Sequence, residues 1–295
     1  MRVFVTGASG FVGSAVVNEL VSAGHKVLGL VRSESNAKKL EDAGAEACLG
    51  DVNDLDAIKK CAAECDAVIH TAFNHDFSQY NASCEADRKV IEAFGDALLG
   101  TDKPLVITSG IGLLRLDRLV TEDDSLSVSS DVIPRAASEE AAKATTKKGV
   151  NTYVVRLPPT VHGAGDYGFV YFTITMAKAN GKSAYIGNGS NQWPAVHRLD
   201  AAKVYRLIVE QKLEQKTFHP VAEQGIPFKD IAETIGRGLN LPTVSLTQDE
   251  AEKHFTWFTH FAAMDVAASG EKTRRILGWE PTNIDLISDM EASYF

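Results

Sequence analysis

Cysteine is scarce in this chain: Cys48, Cys61, Cys65 and Cys84 are the only four among 295 residues. They form no CxxC pair, and no Cys/His cluster has zinc spacing, which argues against a disulfide framework and a metal site. Cys61 and Cys65 share one helical face. All four are read as reduced thiols in a cytoplasmic protein, and the sequons at Asn81 and Asn188 then have no meaning. No apolar run is long enough to span a membrane. No basic block occurs and the formal net charge is −9, so neither nucleic acid nor an anionic membrane surface is expected as a partner. The first strand is expected to begin at Arg2, which leaves no room for a signal or transit peptide. No internal repeat or low-complexity tract is present.

The chain does have a hydrophobic content of 44%, enough for one globular unit or a main domain with a smaller appendage. Its first half alternates apolar runs with helical patterns. Strands are expected at Arg2 to Gly7, His25 to Val31, Ala45 to Leu49, Ala67 to Phe73, Leu105 to Gly110 and Thr152 to Pro158. Helical spacing is evident at Gly10 to Ala23, Ser35 to Ala43 and Leu55 to Ala63. Near-continuous apolar strands separated by helices indicate an α/β fold, a doubly wound parallel sheet covered on both faces. After Pro158 the rhythm changes. Gly/Asn-rich loops at 163–166 and 187–192 precede short helices at Asp200 to Lys212, Pro227 to Gly238 and Gln248 to Phe261, the last opened by a Thr247/Glu250 capping box. The expected domains are a dinucleotide-binding unit, 1–165 with a returning segment at about 196–222, and a smaller, mostly helical lobe, 166–195 and 223–295.

The strongest motif is TGASGFVG, which follows a strand and opens a helix. Gly7 permits the tight turn, Gly10 lets backbone approach a pyrophosphate, and Gly13 lets helix pack on strand; Ser9, Phe11 and Val12 complete the loop. This is the phosphate loop of a Rossmann-type fold. At the end of the second strand an NAD site places an acidic residue, and an NADP site an arginine. Here Arg32 and Ser33 stand there, with Lys38 and Lys39 on the next helix, so NADP(H) is the expected cofactor. Asp51 and Val52 are expected along the adenine, with a turn-capping role the alternative for Asp51.

By this point the chain resembles the short-chain dehydrogenase/reductase superfamily, on its extended or atypical, epimerase/dehydratase-like side. TGASGFVG, LGDVND, VIHTAF, VITSG, VRLPPTVHG, VHRLDAAKVY and RRILGWEPT occur in that family's order and cover nearly the whole chain. The resemblance implies that Thr71, Ala72 and Phe73 flank the cofactor's ribose and nicotinamide, that Pro158 to His162, Val161 included, run beside the nicotinamide, and that Ser109 holds a substrate oxygen. His197 and Asp200 match a cofactor-side loop and the start of the next helix, where Asp200 reads best as an N-cap.

The family's tyrosine and lysine are missing. Its pattern Tyr-x-x-Ser-Lys corresponds to Arg135-Ala-Ala-Ser138-Glu139. The serine fixes the register; arginine replaces tyrosine and glutamate replaces lysine. Moving the register to use Lys143 places Glu139 at the tyrosine position and does not recover the pair. Arginine cannot deliver a proton near neutrality, although Arg135 can polarise a carbonyl. Glu139 can meet a ribose hydroxyl or pair with Lys143. For a substitute donor, Tyr167 comes first, then Tyr171, His162 and His75. The substrate pocket is expected between the sheet's carboxyl edge and the second lobe, with Phe169, Tyr171, Phe172 and Trp193 as walls, while Phe255, Trp257, Phe258 and Phe261 suit a core or a homodimer interface, with a pocket lid as the alternative. The reading that follows is an NADP-dependent oxidoreductase acting on a small-molecule carbonyl. Its rivals are a non-catalytic NADP(H)-binding regulator resembling the NmrA-like proteins and a nucleotide-sugar epimerase or dehydratase.

Overall fold

A computed structural model describes residues 1–114 and 116–295. The chain divides into two compact units, one built from 1–113, 125–156 and 202–218, the other from 114–124, 157–201 and 219–295.

In the first unit, β1 (Arg2–Thr6), β2 (Lys26–Val31), β3 (Glu46–Leu49), β4 (Ala67–His70), β5 (Leu105–Gly110) and β6 (Thr152–Leu157) join the short strand Thr217–Phe218 in a seven-stranded sheet. In spatial order β3, β2, β1, β4, β5 and β6 lead to that short strand. β1 runs parallel to β2 and β4, β2 to β3, and β4 to β5. A central parallel strand must be apolar on both faces, and Val3, Phe4 and Val5 are fully buried. Between the strands run α1 (Phe11–Ser22), α2 (Glu34–Asp42), α3 (Leu55–Ala63), α4 (Tyr80–Leu98) and α5 (Ala137–Lys147). The core between sheet and helices centres on Phe4, Ile58, Val68, Ile91, Phe94 and Leu105. The strand order reverses between β1 and β4, and the crevice at such a switch point is where this architecture binds ligands.

In the second unit, Thr160–His162 runs parallel to Gln192–His197, and Glu223–Pro227 runs antiparallel to that central strand. This pairing explains why 158–165 groups with this unit and not with the first, where sequence rhythm places it. A second small parallel pair joins Ser183–Ile186 to Thr243–Leu246. The unit is helical, as expected, with these two small sheets added. The expected helix Gln248 to Phe261 is broken. It stops at Phe255, Thr256 adopts φ 50°, and a 3-10 turn (Thr256–Phe258) leads into a short helix at Thr259–Ala262. Phe255, Phe258 and Trp193 lie in the core, so Trp193 is not a pocket wall, and Phe169 packs on it at 5.8 Å. Tyr171 and Trp257 are exposed.

Asp200 does more than cap a helix. It lies inside the helix Arg198–Glu210, is buried, and its carboxylate accepts the backbone N–H groups of Thr282 and Asn283 at 2.9–3.1 Å. Its carbonyl accepts the Trp279 indole N–H at 3.0 Å. Asp200→Ala strands two amides and is expected to cost about 2–3 kcal/mol, measured as a lower urea midpoint with faster amide exchange at Thr282 and Asn283.

Candidate active site

At the switch point the glycine turn is close-packed. Gly7 has φ +67°, and a Cβ there would lie 2.7 Å from the Ala72 amide nitrogen. A Cβ on Gly13 would lie 2.0 Å from the Gly7 carbonyl oxygen. Gly10 forms the N-cap of α1 in extended backbone, and no side chain caps that helix end. A bare helix N-terminus beside a crowded glycine turn fits a pyrophosphate, so the residues present suit a dinucleotide. Thr71 is held against this turn, its hydroxyl donating to the Thr6 carbonyl at 2.7 Å, and the Ala72 amide donates to the Thr6 hydroxyl at 3.4 Å. Ser9 is exposed on the turn, and Phe11 and Val12 open α1.

Arg32 is exposed at the end of β2. Ser33 caps α2, accepting the Asn36 amide, and its hydroxyl lies 3.1 Å from that of Ser35. Asp51 is exposed and caps a turn, accepting the backbone and side-chain N–H of Asn53, each at 2.8 Å. Val52 is half-buried against the core.

The missing tyrosine and lysine are replaced by two ion pairs. Arg135 sits in the turn that leads into α5. It donates to Asp87 Oδ2 at 2.9 Å, to the Thr108 carbonyl at 3.1 Å and to the Ser138 hydroxyl, while its guanidinium lies 4.1 Å from the centre of the Phe73 ring. Asp87 projects from α4 and also accepts from the Ser138 hydroxyl. Its other oxygen lies 2.9 Å from His70 Nε2, and His70 Nδ1 lies 2.6 Å from the Thr6 hydroxyl. Burial alone would raise the Asp87 carboxyl, but Arg135, His70 and Ser138 outweigh it and hold the group down at about 2. An unbroken chain of contacts therefore runs from Thr6, beside the glycine turn, to Arg135.

Glu139 faces the sheet, where Arg156 of β6 grips it with both Nε and Nη2 at 2.8 and 2.7 Å. It is therefore not the partner of Lys143. Ser109 is 4% exposed and donates to Glu139 at 2.7 Å, so its O–H is committed and its oxygen is left only as an acceptor. His75 keeps an exposed edge; burial of the rest of its ring, then the Arg135 charge, lowers its pKa.

The remaining expected site residues lie in the second unit. Pro158 is buried, and Val161 pairs with Val196 between the short strands. His162 is buried and bonded through Nδ1 to Asp289 at 2.8 Å; burial lowers its pKa, and the geometry ties it to the interior, which removes it as an exposed donor. His197 packs edge-on against it. Tyr167 is 54% exposed. Among the described residues no cluster of His, Cys, Asp and Glu could hold a metal ion, and no helix is long and apolar enough to cross a membrane.

Sequence analysis did not single out Asp87, Arg156, Thr6 or Thr108. The signals were present: a carboxylate in the Ser83-Cys84-Val90-Ile91-Phe94 face of α4, and an arginine inside the apolar run of β6.

Because Asp87 is held below its unfolded value, the stability it contributes is complete above about pH 5 and is lost as pH falls through 4 toward 2. This is expected to be worth roughly 2 kcal/mol. Asp87→Asn should flatten the acid limb of stability against pH and cost about 3–5 kcal/mol at neutrality, because it leaves Arg135 uncompensated; denaturant melts across pH measure both. Gly13→Ala should abolish dinucleotide binding, followed by cofactor fluorescence, because its methyl must displace backbone.

Comparison with known proteins agrees with this geometry. Residues 7–178 match a family described as NAD(P)H-binding. An uncharacterised protein of Schizosaccharomyces pombe is 48% identical, covering 100% of both chains. A decarboxylating sterol-4-alpha-carboxylate 3-dehydrogenase of Dictyostelium discoideum is 26% identical, covering 77% of this chain and 73% of that one. Among solved structures, the dTDP-glucose 4,6-dehydratase of Streptomyces venezuelae superposes with a TM-score of 0.78 at 18% identity, covering 99% of this chain and 95% of that one, a likeness of fold. With the glycine cradle and the seven-stranded parallel sheet, these matches place the chain in the NAD(P)H-binding family, with the fold of the epimerase/dehydratase structures and without the Tyr-x-x-x-Lys of the short-chain dehydrogenase/reductases it resembles.

Proposed function

We propose that the chain is an NADP-dependent oxidoreductase that reduces a carbonyl, or a similarly polarised double bond, of a small or medium organic substrate. The observation that carries this reading is Arg135, a guanidinium fixed by Asp87 and the Thr108 carbonyl in the tyrosine register. It has five N–H donors. Two Nη1 bonds and one Nη2 bond are made inside the protein, which leaves Nε–H and one Nη2–H for a substrate oxygen. A preorganised cation of this kind stabilises charge that develops on that oxygen.

NADPH, when bound, supplies hydride. The glycine turn and the uncapped end of α1 hold its pyrophosphate, Arg32 and Ser33 grip its 2′-phosphate, Thr71, Ala72 and Phe73 line the nicotinamide end, and Asp51 and Val52 complete the adenine end. Glu139, locked by Arg156, acts through Ser109: it accepts the serine O–H and leaves Oγ to accept from the product hydroxyl. The proton that Arg135 cannot supply comes from a separate donor, for which Tyr167 is the candidate to test. The second reading, a non-catalytic NADP(H)-binding regulator, is favoured by a different fact: both residues in the Tyr/Lys register are consumed by ion pairs.

NADPH oxidation across aldehydes, ketones and imines, with NADH alongside, separates the two. Turnover that prefers NADPH supports the reductase; tight NADPH binding without turnover on any compound supports the regulator. In a reductase, Arg32→Ala should raise the KM for NADPH about 10- to 100-fold and leave that for NADH unchanged, the range expected for a charge-assisted phosphate contact. Tyr167→Phe should lower kcat about 10²- to 10⁴-fold.

A further inference from the structure

Four rings lie within eight residues after β4, beside the guanidinium of Arg135. Phe73 meets His75 edge-on at 5.2 Å and Tyr80 edge-on at 6.4 Å. Phe77 stacks on Tyr80 at 5.7 Å with 24° between planes and lies 6.5 Å from His75. Phe73, Phe77 and Tyr80 are half-buried, and His75 is exposed. Among the described residues, none of the four belongs to the core around Phe4 and Phe94 or to the core around Trp193 and Phe258. The nearby carboxylates are spoken for: Asp87 by Arg135, His70 and Ser138, and Asp76 by Ser78 and Gln79. Tyr80 is pushed up to about 12, chiefly by burial, so this wall is uncharged at neutral pH.

From these rings and the uncommitted donors of Arg135, and resting on the reductase reading above, we propose that the site takes planar aromatic carbonyl compounds. In an aryl aldehyde or ketone the carbonyl is coplanar with its ring. One flat ligand can therefore turn its oxygen to Arg135 and lay its ring against Phe77 and Tyr80. Aromatic faces and edges attract one another through their quadrupoles, and a cation already seated on Phe73 extends the same pattern. A saturated ring of equal size is puckered, has no quadrupole, and gains only the contact.

Two readouts test this on the full chain. In the first, benzoate and cyclohexanecarboxylate are titrated by calorimetry, with and without NADP. Both carry the charge that Arg135 attracts, so a difference reports the rings. Benzoate is expected to bind at least about 10-fold tighter, and Phe77→Leu to bring the two within about 3-fold, with Tyr80→Leu as a second variant and a thermal melt to confirm folding. In the second, the ratio of kcat/KM for benzaldehyde over cyclohexanecarboxaldehyde should fall by about 3- to 10-fold in the same variants. Equal affinities for the two acids, no binding of either, or ratios unmoved by Phe77→Leu and Tyr80→Leu overturn the aromatic site. Benzoate selectivity with no turnover of any aldehyde upholds the aromatic site and overturns only the reductase.

Discussion

One buried carboxylate organises the candidate site. Asp87 comes from α4, yet its two oxygens serve His70 at the end of β4, Arg135 ahead of α5 and Ser138 within α5. A lone carboxylate at that depth would be driven toward its neutral form. Here three donors keep it charged, and its charge in turn keeps Arg135 in place. Remove it and the guanidinium loses its anchor, His70 loses the partner of Nε2, and the start of α5 loses its tie to α4. The geometry of the glycine turn depends on the far end of the same chain of contacts, through Thr6 and Thr71.

The fold was largely legible because its signals are local. TGASGFVG names a strand, a turn and a helix in eight residues, and the crowding at Gly7 and Gly13 shows why only glycine serves there. Helix α4 was not delineated, although Val90, Ile91, Phe94 and Leu98 carry its period; with Asp87 in the apolar stripe the pattern reads less cleanly. The site was half legible. Ser109, Arg135 and Glu139 do share one corner of the first unit, but their partners could not be read, since Asp87 lies 48 residues from Arg135 and Arg156 17 from Glu139. Sequence spacing offered Lys143 for Glu139, and a cation on the neighbouring strand won because it is buried and bidentate. His162 failed as a donor for the converse reason: its partner, Asp289, lies 127 residues away.

The corner that holds Ser109 carries two buried ion pairs. Each charge loses hydration, and only close, multiply bonded geometry offsets that loss. Both pairs meet the condition: Arg156 is bidentate, and Asp87 is saturated by three donors. The result is a corner with fixed charges of both signs and little freedom to rearrange. Such rigidity suits polarising a bound oxygen more than shuttling a proton.

The pairing of Arg135 with Asp87 and of Glu139 with Arg156 also has a consequence for substitution. A chain given tyrosine at 135 would leave Asp87 an anion without its cation, and one given lysine at 139 would set that cation against Arg156. No single substitution restores the family's usual pair without passing through an uncompensated charge. The four positions are therefore coupled, and a change at one calls for a compensating change at its partner.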